Sequence, residues 1–371
     1  MLIGVPKEIK NHEYRVGLRP ASVQELVLRG HQVIIENNAG TAVDLLNEAY
    51  VHAGASIAMT AEQVYREADM IVKVKEPQPI ECEMLSENQV LFAYLHLAAD
   101  PCQAELLIKS GATCIAYETV TDNQGRLPVL APMSEVAGRM SVQEGAHHLG
   151  NAYGGRGLLL GGVPGVAPAK VLILGGGVVG ENAASIAVGV GADVTIVDRS
   201  IDRLRELERQ YSGRARCVYA TTSAIEEYAL DADLIIGAVL IPGGATPKLI
   251  TRNIIRGMKK GAVVVDVAID QGGCFETSRP TTHQQPTFEV DDVVHYCVAN
   301  MPGGVARTAT MALTNVNLPF AVQLADDPVG SIVRNEHLRN GLNIYKGRVT
   351  HPAVATALGY GYVDPLDTLV K

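Results

Sequence analysis

Apolar residues fall in short runs separated by longer amphipathic stretches. Leu2–Val5, Gln32–Glu36, Met70–Val74, Val90–Ala93 and Thr113–Ala116 are rich in β-branched and aliphatic side chains and predict strands. Between them, Ala21–Arg29, Leu46–His52, Ala61–Glu67 and Cys102–Lys109 carry helical patterns. A βαβ rhythm of this kind builds a mostly parallel sheet. A polar, hairpin-like stretch follows at Thr121–Arg126, and a long helix is predicted from near Ser134, which follows Pro132 and could cap it, to about Leu149. A second βαβ series begins at Lys170. Val171–Leu174, Val194–Val197, Leu234–Ile236 and Ala262–Val265 are near-continuous apolar runs, as strands covered on both faces should be. His295–Ala299 predicts a further strand, and Thr308–Leu324 a helix that crosses back to the first series. The fold class is therefore α/β, with two domains of mostly parallel sheet flanked by helices and the second inserted into the first.

Composition narrows what such a chain can do. At 371 residues, length alone favours about two domains. With 47% hydrophobic and 19% charged residues it has ample material for large cores, which excludes a wholly disordered chain. Thirty-one basic against 40 acidic residues give a net charge of −9, with no footprint for nucleic acid or an anionic membrane. Trp is absent and Phe numbers only 4, which argues against base-stacking platforms. Cys82, Cys102, Cys114, Cys217, Cys274 and Cys297 form no C-x-x-C pair and no zinc-like spacing. They read as reduced, mostly buried thiols of a cytoplasmic protein, and no metal is expected. Gly157–Gly180 is apolar but holds Pro164, Pro168 and 8 glycines, so it reads as a loop and a buried strand rather than a membrane span.

The strongest local signal follows Val171–Leu174. Gly175, Gly177 and Gly180 fit G-x-G-x-x-G and run into a helical pattern through Val178 and Val179. The first glycine allows a tight turn, the second admits a pyrophosphate to the backbone, and the third lets helix and strand pack closely. The next strand ends in Asp198, 18 residues after Gly180, where an acidic residue takes the adenosine ribose hydroxyls. A carboxylate there repels a 2′-phosphate and favours NAD over NADP, although Arg199 follows directly. The domains are then 1–130, 131–306 as a Rossmann NAD-binding insert, and 307–371 as the return to the catalytic domain.

Polar residues at predicted strand ends supply candidate chemistry. Lys73 and Lys75 alternate on one strand, and Lys75, nearer its carboxyl end, better suits an anionic or carbonyl substrate. His96 follows Val90–Ala93 and has the side chain best matched to proton transfer near neutral pH, yet a satisfied core histidine would look the same. Asp266 and Asp270 follow Ala262–Val265. Asp266 is explained by pairing or capping alone, whereas Asp270, beside Gly272 and Gly273, is the better catalytic candidate. Arg15 alone would read as a surface arginine. His147 and His148 are adjacent and point differently on a helix, which argues against a metal pair.

Gly4-Val5-Pro6-Lys7-Glu8 with Asn11, Glu13 and Arg15-Val16, Lys73–Pro77, Tyr94–Ala98, Pro132–Arg139, the glycine turn, Asp270–Cys274 and Asn300–Gly303 occur in one order. In that order the chain resembles the alanine dehydrogenase family over essentially its whole length. The resemblance implies interconversion of L-alanine with pyruvate and ammonia using NAD, in a homohexamer. It implies that Arg15 and Lys75 bind substrate and that His96 and Asp270 are catalytic. It also implies a cofactor site formed by Ser134, Gly175, Gly177, Val178, Val179, Gly180, Asp198, Arg203, Val239, Leu240, Val267, Ala268, Ile269, Asp270, Arg279, Val298, Ala299, Asn300 and Met301. Gly17, Arg19 and Ala306 depart from the family pattern. Two other readings stay open: the NAD-binding part of a transhydrogenase, which has no substrate of its own, and a saccharopine-type dehydrogenase.

Overall fold

The computed structural model describes residues 1–239 and 246–369. Its contacts divide the chain into two units, Met1–Met133 with Val305 onward, and Ser134–Gly304. The first unit holds β1 (Leu2–Val5), β2 (Gln32–Glu36), β3 (Ser56–Ala58), β4 (Met70–Val72), β5 (Val90–Ala93), β6 (Thr113–Ala116), β14 (Leu342–Tyr345) and β15 (Arg348–Val349). They form one eight-stranded sheet in the order β15-β14-β6-β5-β4-β1-β2-β3. It is parallel from β6 to β3, and β14 and β15 extend it antiparallel. The central strands β1, β4 and β5 are buried almost throughout, because helices cover both faces. The helix Ala306–Asp326 covers one face, burying Ala309, Thr310, Leu313, Thr314, Asn317, Ala321 and Leu324 at helical spacing.

The second unit holds β7 (Lys170–Leu174), β8 (Asp193–Asp198), β9 (Ala215–Tyr219), β10 (Leu234–Gly237), β11 (Val263–Asp266), β12 (Thr287–Val290) and β13 (Val293–Tyr296). The sheet order is β12-β13-β11-β10-β7-β8-β9, with only β12 antiparallel. Buried β7, β10 and β11 pack against Ile225, Ala229, Ile254, Ile255 and Phe275.

Several expectations need correction. The long helix runs Ala131–His148, so Ser134 lies inside it and does not cap it; Pro132 is tolerated in a first turn, where its missing N–H has no intrahelical partner to lose. Strand β4 ends at Val72, which leaves Lys73 and Lys75 beyond it. Two further hydrogen bonds, Lys73 N–H to Phe92 O (3.1 Å) and Tyr94 N–H to Val74 O (3.0 Å), still carry the ladder past the strand end. The strand expected at His295–Ala299 lies at Val293–Tyr296. Gly157–Leu174 is a loop and then a strand, and among the described residues no helix is long and apolar enough to cross a membrane.

Candidate active site

Each sheet has a point where the chain reverses the direction in which it adds strands. In the first it lies between β1 and β4, and in the second between β7 and β10. Ligands of open α/β sheets bind outside the carboxyl ends of strands at such points. The segments that leave those four strands, and their neighbours β5 and β11, carry Arg15, Lys75, His96, the glycine turn, Val239 and Val267–Asp270, and the other described candidates lie on the long helix and beside β8 and β13.

At the second unit's switch point the turn after β7 has the geometry that the glycine spacing predicted. Gly175 takes φ +94°, and a Cβ on Gly180 would lie 1.8 Å from the Gly175 carbonyl oxygen. A Cβ on Gly177 would meet nothing within 4 Å, and Gly177 heads the helix Val178–Gly189 without a side-chain cap. An uncapped helix N-terminus under an open backbone fits a pyrophosphate. The Asp198 carboxylate accepts from Gly176 N–H (2.7 Å) and Ser200 N–H (2.8 Å). Two of its roughly four acceptor sites are thus used, and two suit ribose hydroxyls. Arg203 braces the same turn: Nε donates to Gly176 O at 2.6 Å, and Nη1 and Nη2 go to Glu206 and Glu181. Val239 leans on Gly175, 3.1 Å from where its Cβ would be. Leu240 lies outside the described residues. Val178 is exposed and Val179 buried in the first turn of the helix.

Val267, Ala268, Ile269 and Asp270 leave β11, with Asp270 exposed on the 3-10 turn Ile269–Gln271. Asp266 is fully buried, and its carboxylate accepts from Cys274 N–H (3.1 Å) and Ser278 Oγ–H (2.6 Å). Burial pushes that carboxyl above the usual range, against the pull of these hydrogen bonds. Val298, Ala299, Asn300 and Met301 follow β13, where Asn300 sits at φ +61° and its carbonyl faces His283 Nε2 at 3.2 Å. Ser134 is half-buried on the long helix. Arg279 is engaged elsewhere, its guanidinium 4.4 Å above the Phe288 ring of β12.

The first unit is built from charge. Arg15 is 2% exposed and grips Glu13 bidentately, Nε to Oε1 at 2.7 Å and Nη2 to Oε2 at 2.6 Å, while Nη1 reaches Met133 Sδ at 3.1 Å. Burial would lower the pKa of the guanidinium, but Glu13 more than offsets it, so Arg15 stays charged. Lys73 is completely buried and donates to Glu8 (3.1 Å) and Glu81 (2.7 Å). The Glu8 carboxylate also accepts Val74 N–H (2.7 Å) and Lys75 N–H (3.3 Å), tying the segment after β1 to the segment after β4. Gly17 permits that approach, since a Cβ there would lie 2.5 Å from Val72 O. Arg19 reaches Asn315 at 2.7 Å, and Ala306 begins its helix without strain in the φ it adopts. Lys75 Nζ stands 3.6 Å from Glu76.

His96 follows β5 in a left-handed conformation (φ +48°), uncommon for a residue with a side chain. Glu118 holds it there by accepting His96 N–H at 2.6 Å. The ring stacks on Tyr94 (centroids 5.9 Å apart, planes 4° apart) and its side chain is 43% exposed, with Nδ1 3.9 Å from Glu118. A satisfied core histidine would be enclosed. Glu8, Glu81 and Glu118 were missed as supports, because their partners lie up to 67 positions away in sequence.

A doubly wound sheet with this turn at its switch point, and an acidic residue closing the next strand, defines a Rossmann-type nucleotide-binding protein. The family models "Alanine dehydrogenase/PNT, N-terminal domain" and "C-terminal domain" match residues 4–137 and 141–352. The chain is 57% identical over 365 residues to an alanine dehydrogenase of Halomonas elongata and 51% identical to one of Mycolicibacterium smegmatis, covering 98% of both partners in each case. A solved L-alanine dehydrogenase superposes with a TM-score of 0.94 at 50% identity, over 97% of this chain and 99% of that one. A transhydrogenase from Sinorhizobium meliloti superposes at 0.80 with 25% identity, over 95% of this chain and 100% of that one. The chain belongs to the alanine dehydrogenase/PNT family.

Proposed function

We propose that this chain is an alanine dehydrogenase, catalysing L-alanine + NAD⁺ + H₂O ⇌ pyruvate + NH₄⁺ + NADH + H⁺. The observation that carries the reading is the pairing of chemistries at the strand ends. Arg15, Lys75 and His96 follow β1, β4 and β5, and a dinucleotide-fitted glycine turn follows β7. The named relatives, matched over nearly their whole length, support it.

Gly177 and the N-terminus of Val178–Gly189 would hold the pyrophosphate, and Asp198 the adenosine ribose, where its charge disfavours a 2′-phosphate. A bound nicotinamide supplies the acceptor for the hydrogen that leaves C2 of alanine. Arg15, held in place by Glu13, binds the substrate carboxylate through its positive charge. The Lys75 ammonium stabilises negative charge developing on the substrate oxygen. His96 takes a proton at Nε2, the ring nitrogen that does not face Glu118, as the carbinolamine collapses, and returns it during amination. Asp270 orients water or ammonia and balances the charge of the iminium. Four buried free cysteines suit a reducing cytoplasm, and the family resemblance suggests a homohexamer.

A panel of NADH or NADPH with ammonium and 2-oxo acids tests the reading. NADH oxidation that requires both pyruvate and ammonium, and is at least about tenfold slower in kcat/KM with NADPH, agrees with it. No turnover with any 2-oxo acid, despite NADH binding, points instead to a transhydrogenase-like binding module. Preference for a bulkier oxo acid points to a saccharopine-type enzyme.

A further inference from the structure

Asp270 stands on a single 3-10 turn, Ile269–Gln271, and the next two residues are glycines in left-handed conformation, Gly272 at φ +91° and Gly273 at φ +75°. Two such glycines in succession lose the most backbone freedom on ordering, so a turn that ends in them needs outside support. Lys248 supplies it. Its ammonium donates to the carbonyl oxygens of Gly272, of Gly273 at 3.0 Å and of Phe275 at 3.2 Å. An ammonium has three N–H donors, and three carbonyls meet it. The flanking backbone joins in: Thr246 N–H reaches Gln271 O at 3.1 Å, and Leu249 and Ile250 N–H reach Cys274 O at 2.8 and 3.2 Å.

Behind the same segment, Asp266 gathers the opposite polarity, Cys274 N–H and Ser278 Oγ–H. Its Oδ2 lies 2.3 Å from where a Cβ on Gly273 would stand, so the segment rests directly on the carboxylate. A cation collecting carbonyls and an anion collecting donors thus hold the two glycines. We propose that Lys248 is a positioning residue for Asp270, fixing the turn by tying down the carbonyls immediately after it. The inference rests on the reading of Asp270 as the carboxylate that serves the reaction. Misplacing such a group by about 1 Å can cost on the order of 10²-fold in rate.

A double-mutant cycle on the full-length enzyme tests it, reading kcat and KM for pyruvate amination with melting temperatures as controls. Lys248→Met should lower kcat about tenfold to a hundredfold while the pyruvate KM moves less than about threefold, because other residues bind that substrate. Lys248→Arg, which keeps the charge and several donors, should recover most of kcat. In an Asp270→Asn background, assayed at stoichiometric enzyme, Lys248→Met should cost less than about twofold more. Lys248→Gln is carried alongside, so that poor folding of one variant does not remove the comparison. A Lys248→Met enzyme with unchanged kcat overturns the proposal. So does an equal fold loss in both backgrounds, or a change confined to KM. Wild-type turnover in Asp270→Asn would instead defeat the reading of Asp270 itself, a result separately visible in the cycle.

Discussion

The two units solve one topological problem with different materials. Both place their candidate residues after the strands that flank a switch point. In the second unit the turn after β7 is nearly all backbone: an open Gly177, a helix end, and one carboxylate at Asp198. In the first unit the same location is filled with buried charge, three glutamates at Glu8, Glu13 and Glu81 against Arg15 and Lys73, all at most 7% exposed. On the proposed function, the difference follows from what each would recognise. A pyrophosphate is long, and a row of N–H groups and a helix dipole can meet it without net charge. A small 2-oxo acid offers only a carboxylate and a carbonyl, so one or two cations must be held at fixed points. Ions held in a core need counter-ions and hydrogen bonds of their own.

The contrast predicts unequal tolerance. Lys73→Met leaves Glu8 and Glu81 buried without their cation and should cost about 3–5 kcal/mol of stability, read by denaturant unfolding. Loss below about 1 kcal/mol would mean that the network is more hydrated than its burial indicates. At the glycine turn of the second unit it is space that matters. Gly180→Ala drives a Cβ to within 1.8 Å of a carbonyl oxygen. The turn must move, and NADH affinity should fall by about tenfold or more for a loss of roughly 1–3 kcal/mol in stability, seen by fluorescence titration and melting.

The smallest effect concerns acid. Burial raises the Glu76 carboxyl, but Lys75 and Lys10 more than reverse this and hold it down at about 2. A folded value below the ordinary 4.5 means that Glu76 adds stability above about pH 4.5 and loses it as pH falls toward 2. Glu8 has the opposite sign, because burial raises its carboxyl. Its contribution is present below 4.5 and is lost as pH rises through the higher folded value. Lys10→Met should therefore lower the melting temperature above about pH 4.5 and leave it nearly unchanged near pH 2, so that the acid limb between the two flattens. An unchanged acid limb would show that Lys10 does not hold Glu76 down.

What could be read from sequence divides along the same line. The glycine turn was legible because its parts lie within six residues and Asp198 follows at the end of the next buried strand. β7, β10 and β11 were legible because both faces are covered, which leaves continuous apolar runs. β3, β9 and β12 were not, because they are partly exposed and their mixed patterns resemble loops. Lys73 was passed over for Lys75, since nothing local reveals a salt bridge to Glu8, 65 positions away. His96 was visible as a residue but not as a left-handed one, a conformation imposed by Glu118 across the sheet end.

The most direct test of the account compares His96→Ala with Gly177→Ala, measuring kcat for pyruvate amination and the dissociation constant of NADH for each. Side-chain chemistry at His96 in the first unit and backbone binding at the glycine turn of the second predict a crossed result. His96→Ala should lose about 10²–10⁴-fold in kcat with NADH affinity within about threefold of the parent. Gly177→Ala, whose new methyl occupies open space in the ligand-free protein, should weaken NADH about tenfold or more with an unchanged melting temperature and a kcat, at saturating NADH, within about threefold. If both variants shift both quantities together, or if His96→Ala turns over within a fewfold of the parent, the division of labour between the two units is contradicted.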